Sequence, residues 1–173
     1  GFARALLKLL REQEPSHIAA VFDAPGKTFR EDLYADYKAT RQETPPDLIA
    51  QMPCIDECVE AFGIPLIRIE GVEADDVMGT LARQAEAEGF EVVLVSGDKD
   101  LLQLVTDRVR VYDPNKGDDG AWYGPAEVKQ RFGVPPENVK DVLGLMGDSS
   151  DNVPGVRGIG EKTAPKLIEK YGD

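Results

Sequence analysis

Three short apolar runs, each followed closely by carboxylates, alternate with segments of helical periodicity. The runs are HIAAVFD at 17–23, IPLIRIE at 64–70 and EVVLVSGD at 91–98. Runs of this length are typical of buried parallel strands, which need a long connection, usually a helix, between them. Because alternating strands and helices form a helix-covered parallel sheet, we expect an α/β fold followed by a small all-helical part.

The spacing of apolar and turn residues predicts the remaining elements. RVRVYD at 108–113 is predicted to be a further strand, and the Asp-Gly signal in NKGDDGAWYG indicates a hairpin turn after it. We expect one compact unit with a core over 1–124 and a helical part over 125–173. Helices are predicted over 2–13, a segment ending at Phe62, 74–88, DLLQLV, 125–132, 136–146 and 161–171.

Composition excludes several classes of protein. The chain has 173 residues, of which 42% are hydrophobic and 30% charged, as in ordinary globular domains. Its apolar runs fall short of the roughly 20 residues of a membrane helix, and no signal-peptide pattern opens the sequence. The single His17, Cys54 and Cys58 lack the spacing of a zinc site. Since the chain has no initiator Met and begins in helical sequence, we expect it to be part of a longer protein.

Carboxylates follow the predicted strands at the ends that a parallel sheet would place along one edge. A further pair lies in the loop MGDSSDNVPG. The eight candidates for one site are Asp23, Glu73, Asp75, Asp76, Asp98, Asp100, Asp148 and Asp151. Taken separately, these acids have ordinary explanations as helix-cap or loop residues. Together they would repel one another, so we expect Mg²⁺ or Mn²⁺, whose pairs support phosphodiester hydrolysis.

Two stretches of this acidic chain, whose net charge is -12, carry basic residues in a pattern suited to nucleic acid. Drawn as a helix, KTFREDLYADYKATR at 27–41 places cations and aromatic rings on one stripe, consisting of Arg30, Tyr34, Tyr37, Lys38 and Arg41. Such a stripe can bind a single strand through phosphates and stacked bases. The alternative is a solvated helix whose aromatic rings lie along its surface.

The second basic stretch is PGVRGIGEKTAPKLIEKYG at 154–172. Glycines let a backbone approach closely, and the N–H groups at a helix start bind phosphate. The pattern predicts a helix-hairpin-helix that holds a DNA backbone without reading sequence. Its candidate contacts are Gly158, Gly160, Lys162, Thr163 and Lys166.

Five motifs, in order along nearly the whole chain, resemble the motif series of the 5′ nuclease family, which includes flap endonucleases. They are VFDA, FREDLYADYKATR, VEADDV, SGDKDLLQLV and GDSSDNVPGVRGIGEKTA. The resemblance implies a PIN-like, mostly parallel sheet, a helical arch over 25–47 and a C-terminal helix–three-turn–helix. It also implies that the eight acids bind two or more Mg²⁺ or Mn²⁺ ions, directly or through water. Lys38 and Arg41 would steer the scissile phosphate, and a K⁺ ion would bind at the hairpin.

The implied function is that of a structure-specific 5′→3′ exonuclease or flap endonuclease acting on DNA with a 5′ flap or end, as in primer removal and repair. We expect a monomer in the bacterial cytoplasm, at the nucleoid. The sequence leaves open whether the full-length chain also contains a polymerase domain. The resemblance also implies a strand with a further ligand Asp before Gly1. Two alternatives are a non-catalytic DNA-binding module and a haloacid dehalogenase-type phosphatase built on Asp98 and Asp100. The module would not need eight acids, and the phosphatase does not account for the hairpin.

Overall fold

The computed structural model describes residues 1–172 and divides into two compact units. The first unit comprises Gly1–Phe29 and Gln42–Val77, and the second comprises Arg30–Arg41 and the chain from Met78 onwards. The helices are α1 Phe2–Gln13, α2 Phe29–Leu33, α3 Pro46–Ile49, α4 Met52–Ala61, α5 Ala74–Ala87, α6 Pro125–Phe132, α7 Val139–Met146 and α8 Ala164–Tyr171. The strands are β1 Ala20–Val21, β2 Leu66–Ile67, β3 Val92–Val95, β4 Val109–Asp113, β5 Ala121–Tyr123, β6 Gly147–Asp148 and β7 Val153–Pro154. Two 3₁₀ helices span Asp100–Leu104 and Pro136–Asn138.

In the first unit, β1 and β2 pair in parallel, with Ala20 opposite Leu66. Their carboxyl ends therefore meet at one edge, as predicted for parallel strands. Helix α4 ends before Gly63, whose φ of 69° provides the left-handed turn into β2. Strands β1 and β2 are shorter than the apolar runs that predicted them. Their parallel pairing covers two residues of each run.

In the second unit, β3 and β4 pair in parallel and β5 pairs with β4 antiparallel. The hairpin predicted from the Asp-Gly signal is thereby confirmed, since Tyr112 lies opposite Trp122 across it. In β4, Val109 and Val111 are buried while Arg110 is exposed, the alternation expected of a strand with one face on a core. The core of this unit continues through α6 and α7, where Val128, Val139 and Val142 are at most 1% exposed.

Two glycines fix the loop that connects α7 to α8. Gly147 and Gly155 lie at the antiparallel pair of β6 and β7. A Cβ on Gly147 would overlap the backbone of residues 153–155, and a Cβ on Gly155 would overlap the backbone of Met146 and Gly147. Gly147 also has a φ of 74°, which other L-residues rarely adopt. This strand pairing holds Asp148 opposite Val153. A rigid backbone arrangement therefore positions the residues that follow α7.

The expectation of one helix over residues 27–41 is wrong. Helix α2 ends at Leu33, and residues 35–40 form successive turns in which Lys38 has a φ of 57°. Lys38 donates its N–H to the carbonyl of Asp151 at 2.9 Å, and Asn152 donates its side-chain amide to the carbonyl of Asp36 at 2.8 Å. Contacts with a distant loop thus replace the hydrogen bonds of a continuing helix. Within residues 1–172, no helix combines the length and the apolar character that crossing a bilayer demands.

Candidate metal centre and nucleic-acid interface

In the first unit, predicted site carboxylates accept hydrogen bonds from the backbone at the start of α5. Asp23 Oδ1 accepts from the N–H of Ala74 at 2.8 Å, and Asp76 Oδ2 accepts from the N–H of Glu73 at 2.9 Å. The first N–H groups of a helix have no partner within the helix, and carboxylates there also favour the helix dipole. Asp75 is half-buried in the same turn. Capping accounts for Asp23 and Asp76 structurally, and a metal role for Asp23, Glu73, Asp75 and Asp76 stays a prediction.

In the second unit, three predicted ligands come together. Asp100, Asp148 and Asp151, here called the carboxylate cluster, each place one carboxylate oxygen within 4.8 Å of the others. Asp100 begins the 3₁₀ helix after β3, Asp148 lies in β6 and Asp151 in the turn that follows. Like charges this close disfavour ionisation unless cations balance them. The cluster is therefore a site where positive charge is required.

Lys99 supplies one such cation. Its Nζ forms a short contact with Asp148 Oδ2 and lies 3.3 Å from Asp100 Oδ1. Burial alone would lower the pKa of Lys99, but the hydrogen bond to Asp148 and the charge of Asp100 outweigh burial and raise the pKa above its ordinary value. Burial alone would likewise raise the pKa of Asp148, but Lys99 and two backbone N–H groups hold that pKa below its ordinary value.

The charged form of Asp100 is less well stabilised than that of Asp148. Burial raises the pKa of Asp100 above its ordinary value, and the opposing charge of Lys99 compensates only in part. Oδ1 of Asp100 is buried and accepts no hydrogen bond from the residues that the structure describes, although Lys99 faces it. A buried carboxylate oxygen that has an ammonium beside it but no well-aligned hydrogen bond is only partly satisfied in the metal-free chain.

The remaining predicted ligand of this unit, Asp98, lies outside the carboxylate cluster. Asp98 is exposed, and its Oδ1 accepts the N–H of Asp100 at 2.9 Å while its own N–H donates to Ser96 Oγ at 3.1 Å. These bonds form a local turn at the start of the 3₁₀ helix. The charge of Asp98 nevertheless reaches Asp100, whose pKa it contributes to raising. A ligand role for Asp98 stays a prediction.

Asp151 connects the carboxylate cluster to the basic segment 30–41. Tyr37 donates its hydroxyl to Asp151 Oδ2 at 3.0 Å, and Arg41 pairs with Asp151 Oδ1 at 3.1 Å. Lys38 Nζ lies 4.9 Å from the centre of the Tyr37 ring. Turns rather than a helix thus bring two predicted substrate-binding residues, Tyr37 and Arg41, against a predicted metal ligand. The other two residues of the stripe, Arg30 and Tyr34, lie in α2 and just after it.

The predicted hairpin forms a turn with an open outer face. Gly158 has a φ of 84°, and a Cβ on Gly158 or Gly160 would meet no atom within 4 Å. The carbonyl of Gly160 accepts the N–H groups of Thr163 and Ala164, each at 2.9 Å, which begins α8. Ala164 is fully buried, and Pro165 occupies the first turn of the helix. The exposed residues of this segment include Gly158, Gly160, Lys162, Thr163 and Lys166.

Sequence reasoning missed two residues of this region. Lys99 lies between two predicted ligands in the motif SGDKDLLQLV, and a cation flanked by acids was the available signal. Asn152 holds the 30–41 segment through Asp36, and its φ of 59° is typical of Asn or Gly in a tight turn. No sequence signal pointed to its distant partner.

The sequence and the fold match a known class of proteins. Residues 1–133 match the N-terminal resolvase-like domain of 5′-3′ exonucleases, and residues 134–173 match their C-terminal SAM fold. These matches cover the chain, which therefore belongs to the 5′-3′ exonuclease family. The α/β architecture with a PIN-like core, expected from the motif resemblance, is confirmed.

Curated relatives and solved structures agree with this membership. The chain is 50% identical over 172 residues to DNA polymerase I of Bacillus subtilis, covering 99% of the chain and 20% of that protein. It is 45% identical to the 5′-3′ exonuclease of Aquifex aeolicus, covering 99% of the chain and 58% of that protein. The T5 D15 protein, crystallised with metal ions, matches with a TM-score of 0.85 at 25% identity, covering 99% of the chain and 67% of that protein. The chain thus spans about a fifth of the length of the polymerase relatives.

Proposed function

We propose that this chain is the nuclease part of a structure-specific 5′→3′ exonuclease or flap endonuclease, which hydrolyses DNA phosphodiester bonds with divalent metal ions, as in primer removal and repair. The observation that carries the proposal is the carboxylate cluster with Tyr37 and Arg41 held against one of its members. Metal-binding acids and phosphate-binding cations are both needed for this reaction. The name of the 5′-3′ exonuclease relative supports the same activity.

The donor set fits a hard divalent cation. The carboxylate cluster offers oxygen ligands only, which suit Mg²⁺ or Mn²⁺ better than zinc or copper. The buried Asp100 Oδ1, which accepts no hydrogen bond within residues 1–172, is an atom that a cation would satisfy. We propose Asp100, Asp148 and Asp151 as ligands, with two or more ions bound in the complete site. Ions of this kind supply an activated water and neutralise the leaving oxygen when bound.

The basic segment would hold the substrate strand. Arg41 has a half-exposed guanidinium whose planar N–H groups can exchange the Asp151 carboxylate for a phosphate oxygen. Lys38 adds a second cation beside the Tyr37 ring, on which a base could stack. Arg30 and Tyr34 would extend this surface. We propose that Lys38 and Arg41 steer the scissile phosphate of a DNA with a 5′ flap or end.

The hairpin before α8 would hold the duplex. The open face at Gly158 and Gly160 lets a phosphate approach the backbone, and Lys162, Thr163 and Lys166 are exposed in the residues that follow. A K⁺ ion at this turn is part of the proposal. Action as a monomer at the bacterial nucleoid is a further part of the proposal. We also propose fusion to a polymerase domain, which the name of the longer relative suggests.

A cleavage assay tests the proposed function. A 5′-labelled flap DNA is incubated with the chain and Mg²⁺, and the chain is compared with its Asp148→Asn variant. We expect cleavage near the junction, reduced by about a hundredfold or more in the variant because a ligand charge is lost. Asp118→Asn makes the same change on an exposed turn residue and should cleave at the parental rate.

Binding measurements separate the outcomes. Tight flap binding without cleavage in either Mg²⁺ or Mn²⁺ would favour the non-catalytic module. Equal cleavage by the parent and Asp148→Asn would remove the carboxylate cluster from the reaction.

A further inference from the structure

Lys99 places an ammonium group within the carboxylate cluster, at the point where the proposed function requires a metal ion. Its Nζ contacts Asp148 Oδ2 and lies 3.3 Å from Asp100 Oδ1. We infer that Lys99 is the built-in counterion of the carboxylate cluster and competes with divalent ions for Asp100 and Asp148. This inference rests on the proposed function and assigns a positioning role to a residue outside the predicted ligands.

Charge explains why such a residue is needed in the metal-free chain. Three carboxylates within 4.8 Å repel one another strongly. Arg41 and Tyr37 bond to Asp151, whereas Lys99 is the cation that pairs with Asp148 and faces Asp100. Without that ammonium, these two half-buried anions would lose the cation that pairs with them. Lys99 therefore allows the loop to keep its geometry before a metal ion arrives.

The geometry also indicates that the ammonium is a replaceable occupant. Asp100 Oδ1 accepts no hydrogen bond from the described residues although Lys99 Nζ faces it, so this oxygen is only partly satisfied. A divalent cation, bound directly to carboxylate oxygens, satisfies them better than a single ammonium. The Lys99 side chain is 32% exposed and carries four rotatable bonds, so its tip can swing into water without backbone movement. Metal binding would then release this cation.

Calorimetric titration with Mn²⁺ and with Mg²⁺ tests the inference without relying on activity. In Lys99→Met, which keeps the length of the side chain and removes its charge, metal should bind about five- to tenfold more tightly because no ammonium has to be displaced. Lys99→Arg keeps a cation and should resemble the parent. Lys129→Met removes an exposed lysine of α6 and should change the affinity by less than about twofold, since charges in solvent are screened.

Thermal melting provides a second readout and a check on folding. Without metal, Lys99→Met should melt at a lower temperature than the parent, and saturating Mn²⁺ should raise its melting temperature by more than it raises that of the parent. If Lys99→Met fails to fold, Lys99→Gln is titrated in its place.

Two results would overturn the inference, and they differ from each other. Equal or weaker metal binding in Lys99→Met, with normal binding in the parent, would show that Lys99 does not compete and would leave the proposed function intact. Absence of metal binding in the parent and in every variant would remove the metal site itself, and the inference with it.

Discussion

Carboxylates in the two units are stabilised by different partners. In the first unit, Asp23 and Asp76 accept backbone N–H groups at the start of α5. In the second unit, the carboxylate cluster is balanced mainly by side-chain cations, Lys99 and Arg41. Backbone donors are fixed by the helix, whereas long side chains can move away. The backbone therefore fixes the partners of the first group, whereas we propose that the second group exchanges its side-chain partners for a metal ion or a phosphate.

The two units also differ in how much apolar surface they bury. Among the described residues, the buried positions of the first unit are Val59, Ile64 and Val77, and α1 buries none of its side chains. The second unit contains the extended core that includes Leu102, Val109 and the buried valines of α6 and α7. Since buried apolar area supplies most of the stability of a fold, the second unit provides the firmer support for its candidate site residues.

The largest expected effect on stability comes from the paired strands β6 and β7, which position Asp148. Gly155→Ala would place a Cβ against the backbone of Met146 and Gly147, which cannot move without separating β6 from β7. We expect the free energy of unfolding to fall by more than about 3 kcal/mol, measured by urea denaturation.

Gly144 in α7 offers a matched control. Its Cβ would meet no atom within 4 Å, so Gly144→Ala should stabilise the chain by up to about 1 kcal/mol through helix propensity. Similar effects of the two substitutions would show that the close backbone approach at Gly155 does not constrain the loop.

A smaller effect is expected where the backbone holds a carboxylate. Asp23→Ala removes the acceptor of the Ala74 N–H at the start of α5 and should lower the free energy of unfolding by about 1 kcal/mol in metal-free buffer. Asp23→Asn keeps an acceptor oxygen and should lose much less. Urea denaturation in the presence of a chelator measures both variants. An equal loss in the two variants would mean that charge, rather than the hydrogen bond, stabilises this end of the helix.

Much of the fold is local enough for sequence to predict. The limits of α1 and α6 follow from apolar spacing, and α6 in addition has Pro125 at its start and Gly133, with a φ of 75°, at its end. The hairpin between β4 and β5 follows from its turn residues. In contrast, the segment after Leu33 takes its conformation from Asp151 and Asn152, which are more than a hundred residues away. Periodicity carries no information on such contacts.

The same distinction applies to the candidate site. A strand end predicted Asp100 as a candidate ligand and the loop MGDSSDNVPG predicted Asp148 and Asp151, and these three acids come together within one unit. The sequence did not predict that Lys99 would pair with Asp148, 49 residues away, because the pairing depends on the packing of β3 and β6 loops. It also did not distinguish the capping role of Asp23 and Asp76 from a ligand role, since both use a carboxylate at the same position.

In contrast to Asp23→Ala, which should destabilise the chain, removing a charge from the carboxylate cluster should stabilise the metal-free chain. Burial raises the pKa of Asp100 above its ordinary 3.8, so the folded chain is penalised where Asp100 is ionised, and this penalty disappears as pH falls towards 3.8. In chelator at pH 7, Asp100→Asn should therefore melt at a higher temperature than the parent, and the difference should shrink as pH is lowered. In Mn²⁺ the order should reverse, because the variant loses a proposed ligand. A lower melting temperature of the variant at pH 7 without metal would contradict this assignment.

The smallest expected effect concerns the ion pair that joins Arg41 to Asp151. The Arg41 side chain is 54% exposed, so solvent screens the pair and Arg41→Gln should change the free energy of unfolding by only a few tenths of a kcal/mol. The free energy of flap binding should change much more than the free energy of unfolding, since we propose that the guanidinium pairs with a phosphate of the DNA. Fluorescence anisotropy at several salt concentrations measures both the loss of affinity and a shallower salt dependence. Arg83→Gln, on the exposed face of α5, removes a comparable surface pair and should leave flap binding unchanged. If both variants bind equally well, Arg41 stabilises the 30–41 segment and makes no contact with the DNA strand.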